Sequence, residues 1–111
     1  MITSADFKKK LRKATTDNVS SIKLFLETEG VVTYEQIEKT VGKKEDMGRT
    51  IGGILSSLSR TIIENEPLII PLGPSEDSRR LLWKLNPAIA GDPGHQRELL
   101  KVAEEVLEER K

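Results

Sequence analysis

With 111 residues, 36% of them hydrophobic and 32% charged, the chain has the size and composition of one globular domain with a modest core. Eighteen basic residues balance eighteen acidic ones, and this formal net charge of zero argues against coating nucleic acid through bulk charge. Cysteine is absent, which excludes disulfides and thiolate metal sites, and no apolar run approaches the ~20 residues of a bilayer-spanning helix.

Residues 1–16 read as a basic arm or short helix. Lys8, Lys9, Lys10, Arg12 and Lys13 stand against Asp6 alone, while Phe7, Leu11 and Ala14 share one side of a helix starting at Ser4. Such an arm is either a solvated tail or a contact for phosphates. Its charges have no apolar stretch behind them, so it does not read as a secretory signal, and a cytoplasmic location is expected. Thr15-Thr16 break the helix, and Asp17 is expected to cap the next one with its carboxylate. In that helix Val19, Ile22, Phe25 and Leu26 follow the spacing of one buried face, and Gly30 ends it.

Val31-Val32 is an apolar stub, long enough for an edge bridge only. Thr33-Tyr34-Glu35-Gln36 is a capping box, opening a short helix that carries Ile37 and Val41 and stops at Gly42. Lys43 to Met47 forms a charged turn. A longer helix follows over Gly48 to Asn65, with Ile51, Leu55, Leu58 and Ile62 inward, Ile54 at the margin, and Arg49, Gly53, Ser56 and Arg60 on the opposite side. Gly52-Gly53 inside it cost about 2 kcal/mol relative to alanine, so they are expected to permit a close approach. Either another part of the same chain, the hairpin or first helix, or an external ligand would make that approach.

Leu68 to Leu72 reads as a strand, with Pro71 marking an edge position or a strand end. Gly73 to Ser78 is a polar hairpin turn and Arg79 to Leu85 the return strand, with Leu81, Trp83 and Leu85 on one face and Trp83 expected in the core. Asn86-Pro87 closes the strand and Ala88 to Gly91 is a linker. Asp92 then caps a last helix with Pro93 at its first position, running to about Arg110. Its broad stripe of Leu99, Leu100, Val102, Ala103, Val106 and Leu107 either packs back onto the domain or meets a second copy. A homodimer is expected, with Leu99, Val102 and Val106 at the interface.

The order of helix, stub, short helix, turn, two-faced helix and hairpin over residues 17–87 resembles the winged helix-turn-helix superfamily. The best pieces are Gly48-Arg-Thr-Ile-Gly-Gly-Ile-Leu-Ser-Ser-Leu-Ser-Arg60 and the hairpin ending Leu82-Trp-Lys-Leu-Asn-Pro87. The resemblance implies an α+β, mostly helical fold: a winged helix-turn-helix with a two-stranded wing, flanked by an N-terminal segment at 1–16 and a linker and helix at 88–111. It further implies a DNA-binding transcription regulator, with helix 48–65 in the major groove and hairpin 73–80 on the backbone. The residues then meeting double-stranded DNA are Lys43, Lys44, Arg49, Thr50, Gly53, Ser56, Ser57, Arg60, Arg79 and Arg80, with Ser78 and Lys84 also offered by the wing. A winged-helix protein–protein interaction module, or a subunit of a nucleic-acid-processing complex, is the alternative. Glu45-Asp46 at the start of the long helix and the net negative charge outside the arm favour that alternative.

Other chemistry is thin. His95 is the single histidine and is expected on the surface, Glu64 with Glu66 and Glu76 with Asp77 are local pairs rather than opposed carboxylates, and Gly48 to Gly53 lacks the ending of a phosphate loop. No enzyme activity, cofactor, metal or small-molecule substrate is expected.

Overall fold

The structure is a computed structural model and describes residues 2–28, 30–42, 45–74 and 81–111. It is an α+β arrangement of helices with short antiparallel ribbons. Helix α1 (Ser4–Arg12) begins where the Thr3 hydroxyl accepts the Asp6 amide at 3.1 Å, and it buries Phe7 and Leu11. Helix α2 (Thr16–Glu27) is capped by Thr15, whose hydroxyl accepts the Asn18 amide at 3.1 Å, and not by Asp17 as the sequence suggested. Thr15 is extended at φ −68°, ψ 159°, the geometry a capping side chain needs, whereas Asp17 already sits in the first turn, where its charge still suits the helix dipole. The helix stops at Glu27, two residues earlier than a cap by Gly30 requires; Gly30, at φ 136°, instead turns the chain out of the helix.

Helix α3 (Tyr34–Val41) carries the expected capping box: the Gln36 amide donates to Thr33 Oγ1 at 3.2 Å, and Gln36 Oε1 accepts the Thr33 amide at 2.8 Å. Gly42, at φ 78°, ends it in the left-handed region that a side chain resists. Helix α4 (Met47–Ser59) is six residues shorter at its C-terminal end than the expected span to Asn65. The β-branched run Thr61-Ile62-Ile63 favours strand over helix. It forms β1 (Ile62–Ile63), paired antiparallel with β2 (Glu66–Pro67) around Glu64 and Asn65, both at positive φ (51° and 70°), as a two-residue primed hairpin turn requires. Ile62, expected on the buried helix stripe, is therefore 49% exposed, and Ile54, expected at the margin, is buried.

Strands β3 (Ile69–Pro74) and β4 (Leu81–Leu85) pair antiparallel, Ile69 opposite Leu85, with a bulge between Pro71 and Gly73. The other edge of β4 receives the Val31-Val32 stub: Val32 and Trp83 exchange both backbone bonds, at 2.7 and 3.2 Å. Trp83, expected in the core, is half-buried against it. Where a linker is expected over Ala88 to Gly91, a short helix α5 (Pro87–Ala90) forms instead, capped by buried Asn86, which accepts the Ala88 amide and donates to the Pro67 carbonyl at 2.9 Å. Helix α6 (Pro93–Glu109) starts as expected from Asp92 and Pro93.

The core is one cluster in which α2 packs against α3, α4 and α6, and α1 packs against α6. The segments expected as flanks therefore share the interior of residues 17–87. Leu99, Val102 and Val106, expected at a dimer interface, are 0%, 5% and 0% exposed within the single chain, because α6 lays its apolar stripe on α1 and α2. That correction removes them from the surface. No described helix is long and apolar enough to cross a membrane.

Candidate nucleic-acid interface

The exposed side of α4 follows from how the helix is held. Asp46 Oδ1 accepts the Arg49 amide at 3.2 Å and fixes its start. Ile51, Ile54 and Leu58 are buried at 0%, 5% and 1% exposure and fix its rotation against α2, α3 and β3. Burial of each such side chain contributes roughly 1.5–3 kcal/mol, so the rotation is not free. At 100° per residue it places Arg49, Gly53, Ser56 and Arg60 together on the far side, and all four are exposed. Thr50 and Ser57, expected on the same face, lie half-buried at its edge. There Asn18 Nδ2 donates to Ser57 Oγ at 3.1 Å, a link between α2 and α4 that spans 39 residues and has no local signal in the sequence.

The two arginines are differently tethered. Arg60 follows the last helical turn and its Nε donates to the Ser56 carbonyl at 3.2 Å, which aims the rest of the guanidinium outward. Among the described residues no carboxylate pairs with either Arg49 or Arg60. Gly52 and Gly53 lie between them in ordinary helical conformation, and a Cβ built on either meets no heavy atom within 4 Å. Among the described residues, the close approach by the hairpin or first helix, one explanation of these glycines, is therefore not made. Neither the backbone geometry nor packing among the described residues requires glycine here. What the pair creates is a strip of bare helix backbone beside two guanidinium groups that no described carboxylate neutralises.

Other site residues fall elsewhere. Lys43, Lys44, Ser78, Arg79 and Arg80 lie outside the described residues. Lys84 is half-buried on β4. The basic arm is not a tail: Phe7 and Leu11 anchor it, Arg12 holds Glu109 through two bonds (Nε to Oε1 at 3.1 Å, Nη2 to Oε2 at 2.7 Å), and Lys8 reaches Glu105 at 3.2 Å and Glu109 at 3.6 Å. A signal existed, since Lys8/Arg12 and Glu105/Glu109 are both spaced four apart and present matching pairs of charge. The bond from Arg12 holds the Glu109 carboxyl below the ordinary glutamate value, and the same bond raises Arg12. Arg110 also turns inward, donating to the carbonyls of Leu11, Arg12 and Ala14 at 2.9–3.3 Å where α1 ends.

His95, expected on the surface, is half-buried, with Nε2 enclosed and without a hydrogen-bond partner among the described residues. No group of three or more His, Asp or Glu able to hold a metal gathers among the described residues. No model of a known protein family matches the chain, and neither a curated protein nor a solved structure matches it.

Proposed function

We propose that the chain is a winged helix-turn-helix protein that binds double-stranded DNA, a small transcription regulator in role, with α4 lying in the major groove and the β3–β4 ribbon against the backbone. Three features support the reading. Helices α2, α3 and α4 pack on one another, Val32, β4 and β3 form a small sheet beside them, and the outward side of α4 is left uncovered by the rest of the described chain. A helix with its side chains is about 10–12 Å across and the major groove is about 12 Å wide. The observation that carries the proposal is the Gly52-Gly53 strip: two glycines that the fold itself does not need, exposed between Arg49 and Arg60.

The protein-binding alternative keeps Glu45-Asp46 and the net negative charge outside the arm in its favour, but the apolar stripe of α6 that would take a partner is covered by α1 and α2 of the same chain. DNA is therefore the favoured partner. The test is duplex binding measured by fluorescence anisotropy across a salt series. With about five phosphates neutralised, log K falls with log salt at a slope near −4.5. Arg49→Ala with Arg60→Ala reduces the steepness of that slope by up to about 1.8, or roughly 0.9 for each phosphate that is no longer neutralised. Absence of duplex binding at low salt, or binding indifferent to both substitutions, rejects the proposal.

A further inference from the structure

The cations of α1 divide into two sets. Lys8 and Arg12 are held by Glu105 and Glu109 on α6. Lys10 and Lys13 are exposed, have no acidic partner among the described residues, and border a shallow cleft of about 500 Å³ whose opposite wall is the C-terminal end of α4. The polar groups around it are two ammonium groups, the Asn18 amide and the hydroxyls of Thr15, Ser57 and Thr61; no carboxylate lines it. Its floor is made by Phe7, Leu11 and Leu58, each nearly inaccessible, so the cleft admits a chain lying across it rather than a molecule enclosed within it.

The geometry points to this cleft as a second phosphate-binding surface, one that seats the sugar–phosphate strand flanking the groove taken by α4. The inference rests on the DNA reading above and adds to it the α1–α2 elbow, with Lys10 and Lys13 as the residues that meet phosphate. Three features commit the cleft to a polyanion. All its charges are positive, the Thr15 and Ser57 hydroxyls and the second Asn18 amide N–H can donate hydrogen bonds while Thr61 donates to the Ser57 carbonyl, and Ser57 belongs both to the cleft and to the margin of the α4 face. The elbow is also held in place. Arg110 ties down the carbonyls of Leu11, Arg12 and Ala14, so the backbone carrying the two lysines is positioned before any ligand arrives. A fixed pair of cations loses less freedom on binding than a loose tail would.

The experiment compares the full chain with Lys10→Gln/Lys13→Gln and with Lys9→Gln, an exposed lysine on the same helix that does not line the cleft. Each is titrated against a fluorescent duplex over a salt series. The double variant is expected to bind roughly tenfold more weakly whatever the duplex sequence, with the salt slope shallower by about 1.8, at roughly 0.9 for each of the two lysines. Lys9→Gln keeps the parent slope, and thermal unfolding of both variants matches the parent because the replaced groups are exposed. If the parent binds duplex and the double variant keeps its slope, the cleft does not meet phosphate and the reading of α4 stands. If the slope falls equally for Lys9→Gln, general charge accounts for it and the inference is overturned. If the parent ignores duplex DNA, both readings fall.

Discussion

The outward sides of α4 and α6 are both polar and exposed, yet they are used in opposite ways. On α6, Glu105, Glu109 and the capping Arg110 each reach across to α1, so these charges are consumed inside the molecule. Among the described residues, neither Arg49 nor Arg60 of α4 has a carboxylate partner, Arg60 donates to a carbonyl of its own helix, and Gly52-Gly53 leave the backbone between them bare. Exposure alone is therefore a poor guide to availability. A surface ion pair adds little stability, but it removes a cation from the set that can meet a ligand. The contrast separates the two surfaces: the α1–α6 seam joins parts of the domain, whereas no described carboxylate pairs with the arginines of the α4 face.

The largest effect expected from this contrast is at the seam's apolar layer. Leu99→Ala removes a fully buried side chain and should cost about 3 kcal/mol, within the 2–5 typical of such truncations, read as a lower urea midpoint. Sedimentation of the parent and variant at the same concentration should give the same mass, because Leu99 faces its own chain. A variant of unchanged stability that alters assembly would show instead that the stripe of α6 serves a second copy.

A smaller effect distinguishes the paired cations from the free ones. The hydrogen bond from Arg12 favours the ionised form of Glu109 and lowers its pKa. Its contribution to stability is present above the ordinary glutamate range and is lost as pH falls through Glu109's own lowered value. In an NMR titration of the side-chain carboxyl, Glu109 should titrate below the ordinary glutamate value, and Arg12→Ala should move it back up. If Glu109 titrates at the ordinary glutamate value in the parent chain, the seam's ion pairs do not hold in solution.

Much of the fold was legible because local signals were strong and consistent with one another. The Thr33/Gln36 box, the Asp92-Pro93 start and the buried spacing of Val19, Ile22, Phe25 and Leu26 were each readable from a few residues. Errors arose where two local rules competed. Asp17 is as good a capping residue as Thr15, and the backbone at position 15 decided between them. The apolar period ran through Ile62, but the β-branched run and the Glu64-Asn65 turn ended α4 at Ser59. Of the candidate interface, the arginine and glycine face of α4 was legible from helical periodicity. The Asn18–Ser57 link and the cleft beside Lys10 and Lys13 were not, because they join segments about 40 residues apart that only the tertiary fold brings together.

The glycine strip tests the central claim most directly, because stability and binding should move in opposite directions. Gly52→Ala with Gly53→Ala meets no internal atom and gains helix propensity, so the domain should become more stable by about 2 kcal/mol. The two added methyl groups should stand between α4 and the groove, so duplex affinity, measured on the same preparation, should fall. A double variant that is more stable and binds duplex DNA as tightly as the parent would contradict the account.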